Sequence, residues 1–153
     1  MTIAEMFQSK GYSTAAYGKW HLGHKKDFLS LQHGFHEYFA TTYSNDMWPI
    51  KIDGTQWEKG VGRGNFSHLP LISQNEKVAE IKTLEMQDSL TTLFTNKAVD
   101  FIDKNAKDPF FIYLAHPMPH IPLGVSSKFR NKSAQGMYGD VMMEIDWSVG
   151  EII

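Results

Sequence analysis

The sequence contains no cysteine among its 153 residues. Disulfides, thiolate metal sites and a cysteine nucleophile are therefore excluded within it. No apolar run approaches the roughly 20 residues needed to span a bilayer. Met1 to Lys10 lacks the basic start and long apolar core of a signal peptide. An excess of one charge is also missing. Fifteen Lys and Arg face 17 Asp and Glu, for a formal net charge of −2, and no basic cluster stands out. This argues against nucleic acid or anionic lipid as the main partner. There is no internal repeat, low-complexity tract or linker.

What is present is an ordinary soluble composition, 42% hydrophobic, at a length that suits one domain. Thr2 followed by Glu5 reads as a capping box opening a short helix over Thr2 to Lys10, with Gly11 as its stop. Ser13 to Tyr17 reads as a strand, residues 18 to 34 as a loop, and Phe35 to Tyr43 as the place of a second strand. Ser44 to Pro70 reads as an irregular excursion with a turn at Asp53-Gly54. Leu69–Ser73 and Lys77–Ile81 can pair as a hairpin. The clearest helix runs from Ser89 to Asn105, where Leu90, Leu93, Phe94, Ala98, Phe101 and Ile102 keep a 3.6-residue period. Asp88 or Ser89 is the expected cap.

Phe110 to Ala115 is a continuous apolar run of strand length, as in a strand buried on both faces. A helix leading into such a strand is half of an α/β repeat. Gly136 to Ile153 reads as a closing helix with an apolar face of Tyr138, Val141, Met142, Ile145, Val149 and Ile152. Asp140 and Asp146 are expected on its solvated face. Met118, Met137, Met142 and Met143 read as packing filler.

Chemistry concentrates at two strand ends. Gly18-Lys19-Trp20-His21-Leu22-Gly23 offers a cation, an aromatic ring and an imidazole on a Gly-bounded turn. His116-Pro117-Met118-Pro119-His120-Ile121-Pro122 offers two histidines on a proline-rich loop. Prolines hold that loop extended, so the two histidines are not one helical turn apart and a helical two-His metal site is disfavoured. Ligand sites in open α/β sheets form at such carboxyl ends. Trp20 is expected to buttress the first loop. His24, His33, His36 and His68 read as loop histidines without a substrate role.

Gly11-Tyr12-Ser13-Thr14-Ala15-Ala16-Tyr17-Gly18-Lys19-Trp20-His21-Leu22-Gly23 resembles the second signature of the sulfatases, in its arylsulfatase form. Tyr113 to Leu123 resembles the segment of those enzymes whose His-x-Pro histidine faces the ester oxygen. Tyr138-Gly139-Asp140-Val141 with Glu144 to Gly150 resembles the helix that follows, and Tyr43 to Met47 also has counterparts. The segments stand in family order over nearly the whole chain.

The resemblance implies an alkaline-phosphatase-like α/β/α sandwich with a mixed central sheet, of which residues 1–153 would be the central, incomplete part. It implies hydrolysis of sulfate esters, small-molecule or carbohydrate, by a formylglycine and a bound Ca²⁺. By the same carry-over, Lys19 contacts a sulfate oxygen and helps hold the formylglycine hydrate. His21 bonds the formylglycine and takes a proton when the sulfated intermediate collapses. His120 assists the leaving group. The Cys/Ser-x-Pro/Ala-Ser-Arg motif, the early Asp pair, the Asp-Asn-Gly motif and the late lysine of the family are not found in this sequence. The expectation is therefore no metal ligands and no formylglycine within the chain, no activity of the chain alone, and missing parts of its own domain as partners. A periplasmic or secreted location suits the parent enzyme. Two other readings stand beside this one: a non-catalytic interaction or regulatory product built from sulfatase sequence, and a phosphatase or phosphotransferase of the same superfamily. Gly-Lys-Trp-His-Leu-Gly favours the sulfatase.

Overall fold

A capping box opens the fold. Thr2 Oγ1 accepts from the Glu5 amide at 3.1 Å, and Glu5 Oε2 accepts from the Thr2 amide at 2.6 Å. The reciprocal pair satisfies two free amides of helix α1 (Ile3–Gln8). A computed structural model describes all of residues 1–153. After α1 come β1 (Ser13–Lys19), β2 (Glu37–Thr41), β3 (Leu69–Ser73) and β4 (Glu76–Ile81). A short helix α2 (Leu84–Gln87), the long α3 (Leu90–Asn105), β5 (Phe110–Ala115) and α4 (Gly136–Ile152) complete the chain.

The five strands form one sheet in the order β4-β3-β2-β1-β5. β1 runs parallel to β2 and to β5, while β3 and β4 add antiparallel edges. The sheet is thus mixed, in an α/β fold. β1 is its centre. Ala16 packs with Ala4 of α1 and with Trp20, Phe35 and Tyr38 on one face. Ala15 and Tyr17 pack with Ala98 and Phe101 of α3 on the other. Full burial of a side chain such as Phe101 contributes about 1.5–3 kcal/mol. Alternate side chains of one strand therefore tie helices to both faces. No helix is long and apolar enough to cross a membrane.

Four expectations are corrected. β5 is not buried on both faces. It is the end strand of the sheet, hydrogen-bonded to β1 alone, and Phe110 and Tyr113 are exposed. The doubly buried strand is β1, whose alanines leave room for both helix layers. β1 also runs two residues past Tyr17, so Lys19 is still in the ladder, opposite Thr41.

The caps of α3 are a second correction. Ser89 holds the N-cap position, but its hydroxyl donates to the Met86 carbonyl. Asp88 accepts from the Val125 amide at 3.1 Å and pairs with Arg130. Ser89 is used by a local bond three residues back and Asp88 by tertiary contacts, so neither side chain caps α3.

The face of α4 is the third. Its buried residues are Asp140, Val141, Glu144 and Ser148, while Tyr138, Met142 and Val149 are exposed. The helix rests on a threonine-rich side of α3. Thr92 Oγ1 donates to Glu144 Oε1 at 2.7 Å, and Thr95 Oγ1 lies 2.7 Å from Ser148 Oγ. Val141, Ile145 and Ile152 of the expected face do pack inward, so hydrophobic period gives half of the face and misses its polar members. Asp140 is accordingly buried, accepting from the amides of Ser133, Asn131 and Lys132. Those donors hold its carboxyl below the usual range, against burial. Finally, of the four methionines read as filler, only Met118 is in the core.

Candidate active site at the carboxyl ends of β1, β2 and β5

Gly18 makes the close approach of β1 to β5 possible. It sits at φ +109°, and a Cβ there would lie 2.0 Å from the Ala115 carbonyl oxygen. Gly18 pairs with Ala115, so the two parallel strands end together. The loops that carry Lys19-His21 and His116-His120 therefore leave the same edge of the sheet from neighbouring positions. β2 ends beside them, with Thr41 opposite Lys19.

The first loop is held close to the sheet. The Trp20 and His21 amides donate to the Thr41 and Thr42 carbonyls, both at 3.0 Å, extending the parallel ladder. Trp20 buttresses the turn as expected: its ring is buried and Nε1 donates to the Phe28 carbonyl at 2.7 Å. Lys19 is half-buried at the strand end. His21 is exposed at φ +58°, and Tyr43 stands edge-on to its ring with centroids 5.7 Å apart. The Tyr43 hydroxyl lies 2.8 Å from His24 Nδ1. His24 thus has a neighbour in the site that its sequence did not signal. His36 bonds Thr14, and His33 stacks on Trp20, which keeps both structural.

The second loop is held from outside. Asn45, fully buried on the loop after β2, places Nδ2 2.9 Å from the Pro122 carbonyl, 3.3 Å from the His120 carbonyl and 3.2 Å from Gln87 Oε1. Gln87, at the end of α2, donates Nε2 to the same Pro122 carbonyl at 2.8 Å. Two buried amides from distant segments thus fix the backbone that presents His120. Nothing in the local sequence signals either of them. His120 itself is exposed, with Nδ1 2.6 Å from the Ile121 carbonyl.

The two histidines of this loop diverge. His116 turns inward, where Nε2 lies 2.9 Å from Ser148 Oγ and Nδ1 has no partner. A lone pair without a partner is less costly in the interior than a donor without one, so the proton belongs on Nε2. Burial pushes the pKa of His116 down to about 4. His116 is neutral at pH 7 and belongs to the α3–α4 packing. His120 faces outward, onto a cavity of about 800 Å³ that also takes lining from Asp46, Trp57 and Arg63. Lys19 and His21 do not line that cavity. The loop after β2 connects the two groups, with Tyr43 against His21 and Asp46 facing His120. Burial alone would raise the pKa of Asp46. The Ser44 hydroxyl, the Arg63 guanidinium 2.7 Å away and the neighbouring His120 outweigh it and hold the carboxyl below the usual range.

No three histidine, cysteine, aspartate or glutamate side chains converge to hold a metal ion. The residues present do not fit a Ca²⁺ ion. The arrangement does offer a cation at a strand end and imidazoles on two neighbouring loops. A fixed cation stabilises anionic oxygens of a transferring group, and exposed imidazoles can move protons.

The sulfatase family pattern matches residues 1–153. The chain is 36% identical to N-acetylgalactosamine-6-sulfatase of Mus musculus over 99% of its own length and 28% of that protein. It therefore spans less than a third of that relative. Among solved structures, the PsFucS1 sulfatase from Pseudoalteromonas sp. superposes with a TM-score of 0.81 at 20% identity, over 97% of this chain and 33% of that one. Ps i-CgsB, solved in complex with k-i-k-neocarrahexaose, superposes with a TM-score of 0.68 at 27% identity, over 98% of this chain and 35% of that one. The chain belongs to the sulfatase family, and its mixed sheet is that of the alkaline-phosphatase-like fold.

Proposed function

We propose that this chain supplies the sulfate-binding and proton-transferring arm of a sulfate-ester hydrolase whose substrates are sulfated carbohydrates. One observation carries the reading. β1 and β5 are adjacent and parallel and end in register, so Lys19, His21 and His120 leave one sheet edge together. In this reading the Lys19 ammonium lies against a sulfate oxygen. Negative charge spreads over the equatorial oxygens as the sulfur–oxygen bond breaks, and a preplaced cation stabilises it most at that moment. His120 gives a proton to the departing sugar oxygen. His21, on the opposite loop, accepts the proton of the incoming oxygen nucleophile, a group supplied from outside these residues, as that oxygen bonds to sulfur and the ester oxygen leaves. Asn45 and Gln87 keep the His120 backbone where that transfer needs it. The carbohydrate assignment is supported by the name of the N-acetylgalactosamine-6-sulfatase relative and by the bound neocarrahexaose of the solved neighbour.

The nucleophile and Ca²⁺ that the family resemblance implies are not among these residues. The chain is thus proposed as the central part of a catalytic domain, inactive by itself and not stabilised by Ca²⁺. The test joins it to the missing family segments and measures release of sulfate from a 6-sulfated galactosamine. Lys19→Ala and His120→Ala each lower kcat on the order of 10²-fold or more, as when one transition-state donor is removed. Near-parental turnover in both variants overturns the role assignment. Chelator-sensitive hydrolysis by a homogeneous preparation of the chain alone overturns the proposed division of labour.

A further inference from the structure

The excursion between β2 and β3, which sequence reading leaves without a purpose, builds one wall of the cavity beside His120. It is a constructed wall. The Lys51 amide donates to the Thr55 carbonyl at 2.7 Å, and the Trp57 amide donates to the Pro49 carbonyl at 2.8 Å. Asp53 Oδ1 accepts from the Thr55 hydroxyl at 2.6 Å and from the Thr55 amide at 2.9 Å. Gly62, at φ +51°, lies so near the Trp57 indole that a Cβ would come within 2.8 Å of the ring. The Lys51 ammonium sits 5.2 Å from the ring centroid. Arg63 reaches across from this segment to Asp46 at 2.7 Å and also donates to the Asp46 carbonyl, fastening the wall to the loop that braces His120.

The lining has a definite chemistry. Trp57, Ile50, Ile52 and Ile121 supply apolar surface. Among them stand two carboxylates, Asp46 and Asp53, and two cations, Arg63 and Lys51. Both carboxyls are held below the usual range, Asp46 as described above and Asp53 chiefly by the Thr55 hydroxyl and amide. Charges of both signs cancel, so the wall does not favour a second anion. They do offer acceptors and donors side by side, which hydroxyl groups can use in both senses. A flat hydrocarbon would displace water from these charged groups and return no hydrogen bond, at a cost. A sugar ring has an apolar C–H face and a rim of hydroxyls, and both kinds of surface are met here. At about 800 Å³ the cavity is in the upper part of the range for small-molecule sites.

We propose that the cavity is a subsite for a neutral hexose unit adjoining the sulfated one. Trp57, with Ile52, packs the ring, while Asp46, Arg63 and Lys51 read its hydroxyls. The inference rests on the sulfatase reading above for the position of the sulfate, and it adds the residues that select what the sulfate is attached to.

The test titrates the ¹⁵N-labelled 153-residue chain with four probes: inorganic sulfate, 4-nitrophenyl sulfate, galactose 6-sulfate, and a disaccharide in which the same sulfated galactose carries an unsulfated hexose. The disaccharide binds at least tenfold more tightly than the monosaccharide and shifts the Trp57 indole and Arg63 side-chain signals. Trp57→Ala and Arg63→Gln abolish that gain. Ile52→Glu abolishes it too, and Ile52 is exposed enough that the fold is untouched, as the unchanged amide spectrum verifies. Inorganic sulfate binds the variants as it binds the parent. Equal affinity for the two sugars, a gain that survives the three substitutions, or a Trp57-dependent preference for the aryl sulfate overturns the subsite. A disaccharide that shifts Trp57 while no sulfated probe shifts His21 or His120 overturns the sulfatase reading and leaves the subsite standing. Absence of binding by all four overturns both.

Discussion

The two loops that present the candidate catalytic groups are built in opposite ways. The loop after β1 is a continuation of the sheet. Its amides take the next carbonyls of β2, and its indole ties to Phe28, only eight residues further on. The loop after β5 has no such ladder. Its shape comes from Asn45 and Gln87, which lie 75 and 35 residues away from the carbonyls they bind, and from Asp88, which takes the Val125 amide. A loop of the first kind announces itself locally. A loop of the second kind depends on partners whose identity becomes visible only when the chain is folded.

The largest expected effect strikes the seam that both loops share. Gly18→Val places a branched side chain where even a Cβ would overlap the Ala115 carbonyl, at a backbone angle that β-branched residues avoid. Strain and displaced β1–β5 pairing together cost about 4 kcal/mol or more, at the severe end of single substitutions. Urea denaturation of the variant should show that loss. A stability within about 1 kcal/mol of the parent would mean that the two strand ends can separate independently.

His116, at the root of the second loop, gives the next effect. Its folded pKa, about 4, lies below the ordinary value of 6.5, so the unfolded chain binds more protons between those values. The stabilisation is fully present above about pH 6.5 and is lost as pH falls toward 4. A shift of this size corresponds to roughly 3 kcal/mol over that window. Stability measured from pH 7 to pH 4 should fall in the parent. In His116→Gln the fall should be shallower, because no group at that position titrates. Parallel profiles would place the proton uptake elsewhere.

Asn45→Ala separates the two loops most directly. It strips partners from the His120 carbonyl and from the Gln87 side chain in a buried setting, at about 2 kcal/mol. Hydrogen exchange should accelerate through residues 118–125 and stay unchanged at Trp20 and His21. Equal acceleration in both loops would erase the contrast between them. The smallest effect tests the corrected face of α4. Met142→Ser should change stability by no more than about 0.5 kcal/mol, because the side chain is exposed. Val141→Ser, one position earlier and buried, should cost several times that, and thermal melts of the pair decide which face is covered.

Much of the fold was legible where the signal is short-range. The capping box at Thr2 and Glu5, the β3–β4 hairpin and the 3.6-residue period of α3 are all settled by neighbours within a few residues. What was not legible concerns partners far away in sequence. The apolar run Phe110–Ala115 looks like a strand covered on both faces, but coverage depends on which helices and strands pack around it, and β1, paired with both β2 and β5, is the strand so covered. The covered face of α4 includes Glu144 and Ser148, while Tyr138, Met142 and Val149 of the apolar stripe are exposed, because Thr92 and Thr95 of α3 present hydroxyls to those two polar residues. The candidate site divides along the same line. Lys19, His21 and His120 were readable from motif and resemblance. Asn45, Gln87, Trp57 and Arg63 were not, since an amide or an arginine in a loop carries no mark of the carbonyl or carboxylate it will meet.

By itself, then, the sequence determined the local elements, the family, and the three polar residues set at strand ends. Hydrogen bonds and periodicities within a few residues specify such features whatever the rest of the chain does. Only the tertiary structure decided that β1 is the strand covered on both faces, that His116 turns inward while His120 faces a cavity, and that the residues between β2 and β3 wall that cavity. Each of those outcomes depends on burial and on pairing between distant segments, and both exist only once the whole chain has packed.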